Sequence, residues 1–319
     1  MQRLINLLFH SFFFIYFLSF SFVKSDLAFI TNQESNKIDV VDLKLKKKIN
    51  EIEVGKKPAG IFIDNKNKLI FISNPESHNI SKFSYNDKNI EFFDGGKSPM
   101  SLFYIESKKL LYITNWYENK ITIVDTTTNL IKKVLKVGRS PAGIFISEKE
   151  QKIFVANRDD NNVSVFNLDT LIKIKDIKVG NSPYGVFSEP ETQFVFITNV
   201  QSNSISLVNK KTLIVEKEIK VGSWPYQVAL NKKNNLIYVT NQRDNSISVI
   251  DLNQKKVVNS LMDVCEYPEG IDISYNENLL VVACWFEDNI ILLDLDSNKL
   301  LKRITMSGGP RAFGKFILK

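Results

Sequence analysis

A three-residue segment returns seven times along this chain at almost constant spacing, and that regularity limits the fold more than any single residue does. It reads Ile30-Thr31-Asn32, Ile72-Ser73-Asn74, Ile113-Thr114-Asn115, Val155-Ala156-Asn157, Ile197-Thr198-Asn199, Val239-Thr240-Asn241 and Val282-Ala283-Cys284. The last residues of successive segments are 42, 41, 42, 42, 42 and 43 positions apart. A proline keeps the same beat at 58, 99, 141, 183, 225, 268 and 310, and only Pro75 and Pro190 fall outside the series.

Each period holds four short runs rich in β-branched and aromatic residues, separated by clusters of Asn, Asp, Ser, Gly and Lys, which is strand-and-turn punctuation. In the sixth period the runs are 226–230, 236–240, 246–250 and 256–262. Helical repeats of similar length need apolar spacing near 3.6 over ten or more residues, and no run here is that long. Four strands in about 42 residues is a propeller blade, so the expected fold is all-β: a seven-bladed β-propeller with four antiparallel strands per blade. The first period opens on its second strand, Leu27-Ala28-Phe29-Ile30. Its missing first strand is expected from the C-terminus, Ala312 to Leu318, which closes the ring and leaves no open array edge. A ring closed in this way is expected to be a monomer.

Residues 1–25 differ in kind. Arg3 precedes an apolar, Phe-dense stretch from Leu4 to Val23, and no acidic residue occurs before Asp26. This is a signal-peptide profile, with cleavage expected before Asp26 and the propeller spanning 26–319. An uncleaved anchor is the alternative, although Asn6, His10, Ser11, Ser19 and Ser21 interrupt the stretch. After cleavage no stable membrane span is expected. Loss of Arg3 and Lys24 lowers the net charge from +7 to +5, carried mostly by Lys, which by itself does not call for a nucleic-acid partner.

Tyr238-Val239-Thr240-Asn241, followed by Asn245-Ser246-Ile247-Ser248-Val249-Ile250-Asp251, resembles the YVTN β-propeller repeat family, and Val137-Gly138-Arg139-Ser140-Pro141-Ala142-Gly143-Ile144 completes the likeness. The resemblance recurs in register over residues 27–319. It implies a propeller that is exported or surface-associated, and no shared catalytic set.

Several chemistries lack their residues. The chain has two histidines, His10 in the leader and His78 in a loop, so a His-ligated zinc, iron or haem site cannot be assembled. A Ser-His-Asp hydrolase would have to rely on His78 alone. No cofactor, metal site or catalytic residue is assigned. The repeated Asn is read as a structural device bonding its own tight loop, and Gly55, Gly96, Gly138, Gly180 and Gly222 as turn residues needing positive φ, because a feature present in every blade belongs to the fold.

Function is therefore sought where the blades differ. The loops joining fourth strand to first and second to third emerge on one face, the top. Trp116, Trp224 and Trp285, the only tryptophans, lie in or beside these loops, as do Arg139, Arg158, Arg243 and Arg311. The residue after each repeat proline faces the mouth of the channel and reads Ala59, Met100, Ala142, Tyr184, Tyr226, Glu269 and Arg311. The large polar and aromatic ones are adjacent around the ring. Together with Trp224, Tyr267 and Trp285 they define the expected ligand-binding set: Tyr184, Trp224, Tyr226, Tyr267, Glu269, Trp285 and Arg311. A packed plug of the channel is the alternative, and Met100, Phe62 and Phe145 are assigned to the core. In the seventh period Cys265 replaces the repeat Gly and Cys284 the repeat Asn, at the facing ends of antiparallel neighbours, so a disulfide is expected. The reading is an exported scaffold whose top face binds a protein, peptide or small anionic ligand. A lactonase-like hydrolase, an accessory to a quinone-dependent dehydrogenase, and nucleic-acid binding through Lys loops and top-face aromatics are the alternatives.

Overall fold

The computed structural model describes residues 25–87 and 89–319, so the leader expected at 1–25 lies, but for Ser25, outside the described residues. The chain forms seven four-stranded antiparallel blades around a ring. Blade 6 runs Pro225–Asn231, Leu236–Asn241, Ser246–Asp251 and Lys256–Leu261, within a residue or so of the runs read from the sequence. The outermost strands are exposed along most of their length, as in Leu130–Lys136 and Leu300–Thr305. The second and third strands are buried nearly throughout, because each blade is covered on both faces by its neighbours. The core accordingly sits between blades. Tyr238, Ile247 and Val249 of blade 6, for example, pack with Ile271, Leu280 and Ile291 of blade 7.

The ring closes through the C-terminus as expected, with one departure. Ile317–Leu318 pairs antiparallel with Ala28 and Leu27, Phe29 N–H donates to Phe316 O, and Arg311 N–H donates to Thr31 O. Between these contacts Phe313–Lys315 leaves the blade and runs parallel to Gly60–Phe62 of blade 2. The innermost strand is thus interrupted rather than continuous from 312 to 318. Five of the other inner strands show a milder version of this bulge, a register shift just after the repeat proline, as between Pro141 and Ile144.

Three sequence readings of repeat residues change. Of the five repeat glycines only Gly96 has positive φ. At Gly55, Gly138, Gly180 and Gly222 an added Cβ would come within 2.8 Å of the side chain of the blade's repeat Asn, so close approach is what requires glycine. The repeat Asn does not in the main bond its own loop. Asn241 Nδ2 donates to Ser246 Oγ and Ser248 Oγ on the third strand, each at 3.0 Å, and Asn74, Asn157 and Asn199 do the same with their own third strands. His78 is not merely solvated: it has φ 58° and its Nδ1 accepts the Ser98 N–H at 3.3 Å.

Cys265 and Cys284 form a buried disulfide with Cα atoms 5.8 Å apart. It occupies the place where glycine and asparagine touch in blades 2 to 6, which is why the two replacements come as a pair.

Candidate functional site on the top face

Two backbone devices set the top loops. Four residues beyond the triplet, Asn36, His78, Asn119, Asn161, Asn203, Asn245 and Asp288 all adopt positive φ, a region Asn and Asp tolerate best. The side chain of each accepts the N–H of the residue preceding the next blade's proline, with Asn203 taking Trp224 N–H at 3.1 Å and Asn245 taking Tyr267 N–H at 3.0 Å. Trp224 and Tyr267 themselves sit at φ 57° and 56°, a conformation that bulky residues hold only when their surroundings impose it. The second device is the hydroxyl of the triplet. Thr198 Oγ1 donates to Tyr226 O at 3.0 Å, and Thr240 Oγ1 donates to Glu269 O at 2.7 Å. Each is a link from one blade to the next, and it fixes the backbone of a residue at the channel mouth.

All seven residues of the expected set line one cavity of about 590 Å³. Tyr184, Tyr226 and Glu269 are buried at its floor. Trp224, Tyr267 and Trp285 are half-buried walls, and Phe286 is an exposed rim. Phe313 closes the floor, its ring 5.2 Å from those of both Tyr184 and Tyr226. Tyr267, Trp285 and Phe286 form a second aromatic group, with Trp285 and Phe286 4.7 Å apart.

Arg311 is the centre of the polar network. Its guanidinium donates from Nε to Tyr226 Oη at 2.7 Å, from Nη2 to Tyr184 Oη at 3.0 Å and from Nη1 to Gln33 Oε1 at 3.1 Å. Nε also lies 3.3 Å from Glu269 Oε2, while Glu269 Oε1 accepts from Gln242 Nε2 at 2.9 Å. Among the described residues, two of the five guanidinium donors make no hydrogen bond. The Trp285 indole N–H is likewise unpartnered. Burial pushes the Glu269 carboxyl up to about 7, against the opposing pull of Arg311 and the Gln242 hydrogen bond. Arg311 stays charged throughout. The pair therefore leaves a positive balance at the floor of an aromatic cup.

The sequence reading missed half of the lining. The residue after each triplet reads Gln33, Pro75, Trp116, Arg158, Val200, Gln242 and Trp285, and all but Pro75 face this cavity. Their backbones lie beside the residues preceding the prolines, as in Trp285 N–H to Tyr267 O and Gln242 N–H to Trp224 O. Two concentric rings thus build the mouth, one following Pro and one following Asn, and only the first was read in full. Met100, assigned to the core, is buried but lines the cavity as well. Arg243 stacks on Trp224 at 3.5 Å and stiffens the wall from outside.

Among the described residues no three His, Cys, Asp or Glu side chains are arranged to hold a metal ion, and no helix is long and apolar enough to cross a membrane. No protein-family model matches the sequence, and no curated protein matches it. Solved structures match at the level of fold. A functionally unknown protein from Desulfotomaculum acetoxidans aligns at 13% identity and TM-score 0.78, over 90% of this chain and 98% of that one. AztD from Citrobacter koseri aligns at 14% and 0.68, over 91% and 97%. A protein from Bacteroides uniformis described as a putative 6-phosphogluconolactonase aligns at 11% and 0.73, over 90% and 98%.

Proposed function

We propose that this chain is an exported, YVTN-type binding protein whose top cavity captures an oxyanion, such as a carboxylate on a small molecule or peptide. The observation that carries the reading is Arg311, about one-fifth exposed, with two donors unused among the described residues, ringed by two phenols and walled by tryptophans. A guanidinium fork matches a carboxylate in geometry, and the surrounding aromatics favour a planar or apolar body beside it. Burial raises the Glu269 carboxyl to about 7, so near neutral pH it is only partly ionised and offsets the Arg311 charge only in part. Export is supported by the leader-like segment before Asp26 and by the disulfide, which belongs to oxidising compartments.

The test is a thermal-shift and calorimetric screen of carboxylates and short peptides with free or amidated C-termini, run on wild type, Trp224→Ala and Arg311→Lys. Binding that needs the free carboxylate and falls at least tenfold in both variants supports the reading. Equal binding of amidated peptides, or a hit that both variants retain, rejects it. The lactonase and dehydrogenase-accessory readings gain no residue from this cavity, whose one floor carboxylate is already paired to Arg311.

A further inference from the structure

A second cavity, of about 290 Å³, opens on the opposite face, where the turns joining first to second strands lie. Its wall comes from one recurring position. The fourth residue after the repeat proline is Phe62, Phe103, Phe145 and Phe187 in blades 2 to 5, but Ala229, Asp272 and Gly314 in the remaining three. The sequence reading placed these phenylalanines in the core. They are instead half-buried, and they form an arc with ring centroids 5.2 Å apart for Phe62–Phe103 and 5.6 Å for Phe103–Phe145. All four of these rings line the cavity and leave it unfilled.

The cavity shares no lining residue with the top site. Phe313 and Gln227 lie between them. Gln227 is buried and locked in place, donating from Nε2 to Ile271 O and Gly314 O and accepting Gly314 N–H at Oε1. At roughly 30 Å³ per molecule, about ten waters would fit here against a mostly apolar wall, and an apolar body of similar size would displace them favourably.

Charged side chains of both signs ring the mouth, and one lysine among them is unpaired. Lys149 is exposed and has no carboxylate in ion-pair range among the described residues. Lys315, whose ammonium sits 5.3 Å from the Phe187 ring, shares Glu189 with Lys232. Glu148 accepts a hydrogen bond from Ser107. Lys315 and Lys232 are thus matched by Glu189 and Glu191, and Lys149, next to the exposed Glu148, is the lysine of this mouth without an ion-pair partner among the described residues.

We propose that this cavity binds a monoanionic amphiphile, an alkyl or aryl carboxylate of about ten non-hydrogen atoms, with its apolar body against the phenylalanine arc and its carboxylate between Lys149 and Lys315. The site is separate from the top cavity and does not depend on its role.

The probe is octanoate, titrated calorimetrically into the folded protein, with octanol as the neutral analogue. Millimolar or tighter octanoate binding is expected, weakened about tenfold by Phe103→Ala with Phe145→Ala and several-fold by Lys149→Glu. Lys149 is exposed, so that second variant tests the site without disturbing the fold. Trp224→Ala on the top face should leave octanoate binding unchanged. No binding, or binding abolished by Trp224→Ala, overturns the site. Octanol binding as tightly as octanoate, with Lys149→Glu without effect, overturns the assignment of an anion.

Discussion

Glu269 ionises where ionisation is costly. Its folded-state pKa of about 7 lies above the ordinary carboxylate value, so between about pH 4.5 and 7 the folded state keeps a proton that the unfolded state has lost. Stability from this group is therefore full below that window and declines as pH rises through it, by at most roughly 3 kcal/mol for a shift of this size. Glu269→Gln removes the titration. Its melting temperature relative to wild type should rise between pH 5 and pH 7.5, and a difference constant with pH would show that Glu269 is ionised throughout. The glycines teach a different lesson at the same scale. Their repetition was legible and correctly marked them as structural, but the cause was not, because a glycine kept for φ and one kept for a neighbour's side chain look alike in a string of letters. An added Cβ at Gly138 would lie 2.6 Å from Asn157 Cγ. Gly138→Ala should thus cost about 1–3 kcal/mol, as overpacking does, and Gly138→Ala combined with Asn157→Ala should recover part of it. An additive double mutant would mean that the two residues do not meet.

At the scale of elements, the top loops show which parts of a site a repeat reveals. Positions following a proline stand out in the sequence because proline is rare, and four of the expected residues belong to that ring. The ring following Asn carries Gln33, Trp116, Arg158 and Gln242 as well as Trp285; its Trp and Arg members are legible as top-loop residues, but Gln33, Val200 and Gln242 look like ordinary loop variation until the fold sets them beside the first ring. The phenylalanine arc was hidden for a related reason: an apolar residue on an inner strand reads as core unless the channel's width is known. The disulfide was legible, since it replaces two partners that touch in blades 2 to 6. It ties the loop before Tyr267 to the loop that begins at Trp285, and so holds one wall of the cup. Reduction, or Cys265→Ser with Cys284→Ser, should lower stability by about 3 kcal/mol for a loop of 19 residues. It should also weaken any ligand found for the top cavity more than Arg243→Ala does. Unchanged melting in the presence of reductant, with thiols shown by alkylation to be free, would contradict the first expectation.

For the whole molecule, the decisive contacts are those between the two ends. The fold class and blade number followed from the period, and the phase of the first blade pointed to closure by the C-terminus; the detour of Phe313–Lys315 onto blade 2 did not follow, because it depends on a bulge at Gly314, φ 135°, that no repeat unit displays in full. Closure joins blades 7, 1 and 2. Phe316, Ile317 and Leu318 are buried in the cluster that holds Leu27, Phe29 and Ile61, and Asp272 of blade 7 accepts the N–H groups of Phe316 and Ile317 at 2.9 and 3.2 Å. Burying these three side chains with Phe313 contributes on the order of 6–12 kcal/mol, which is comparable to the roughly 5–15 kcal/mol that separates a folded domain from its unfolded chain. Deleting Pro310–Lys319 is therefore expected to abolish the cooperative transition, since the inner face of blade 1 would be bare and the floor of both cavities gone. Adding the excised ten residues back as a separate peptide should restore a transition whose midpoint rises with peptide concentration, as linkage requires for a segment that binds only the folded ring. A truncated chain that melts at the wild-type temperature, or one whose melting is indifferent to the peptide, would show that the ring does not depend on this strand.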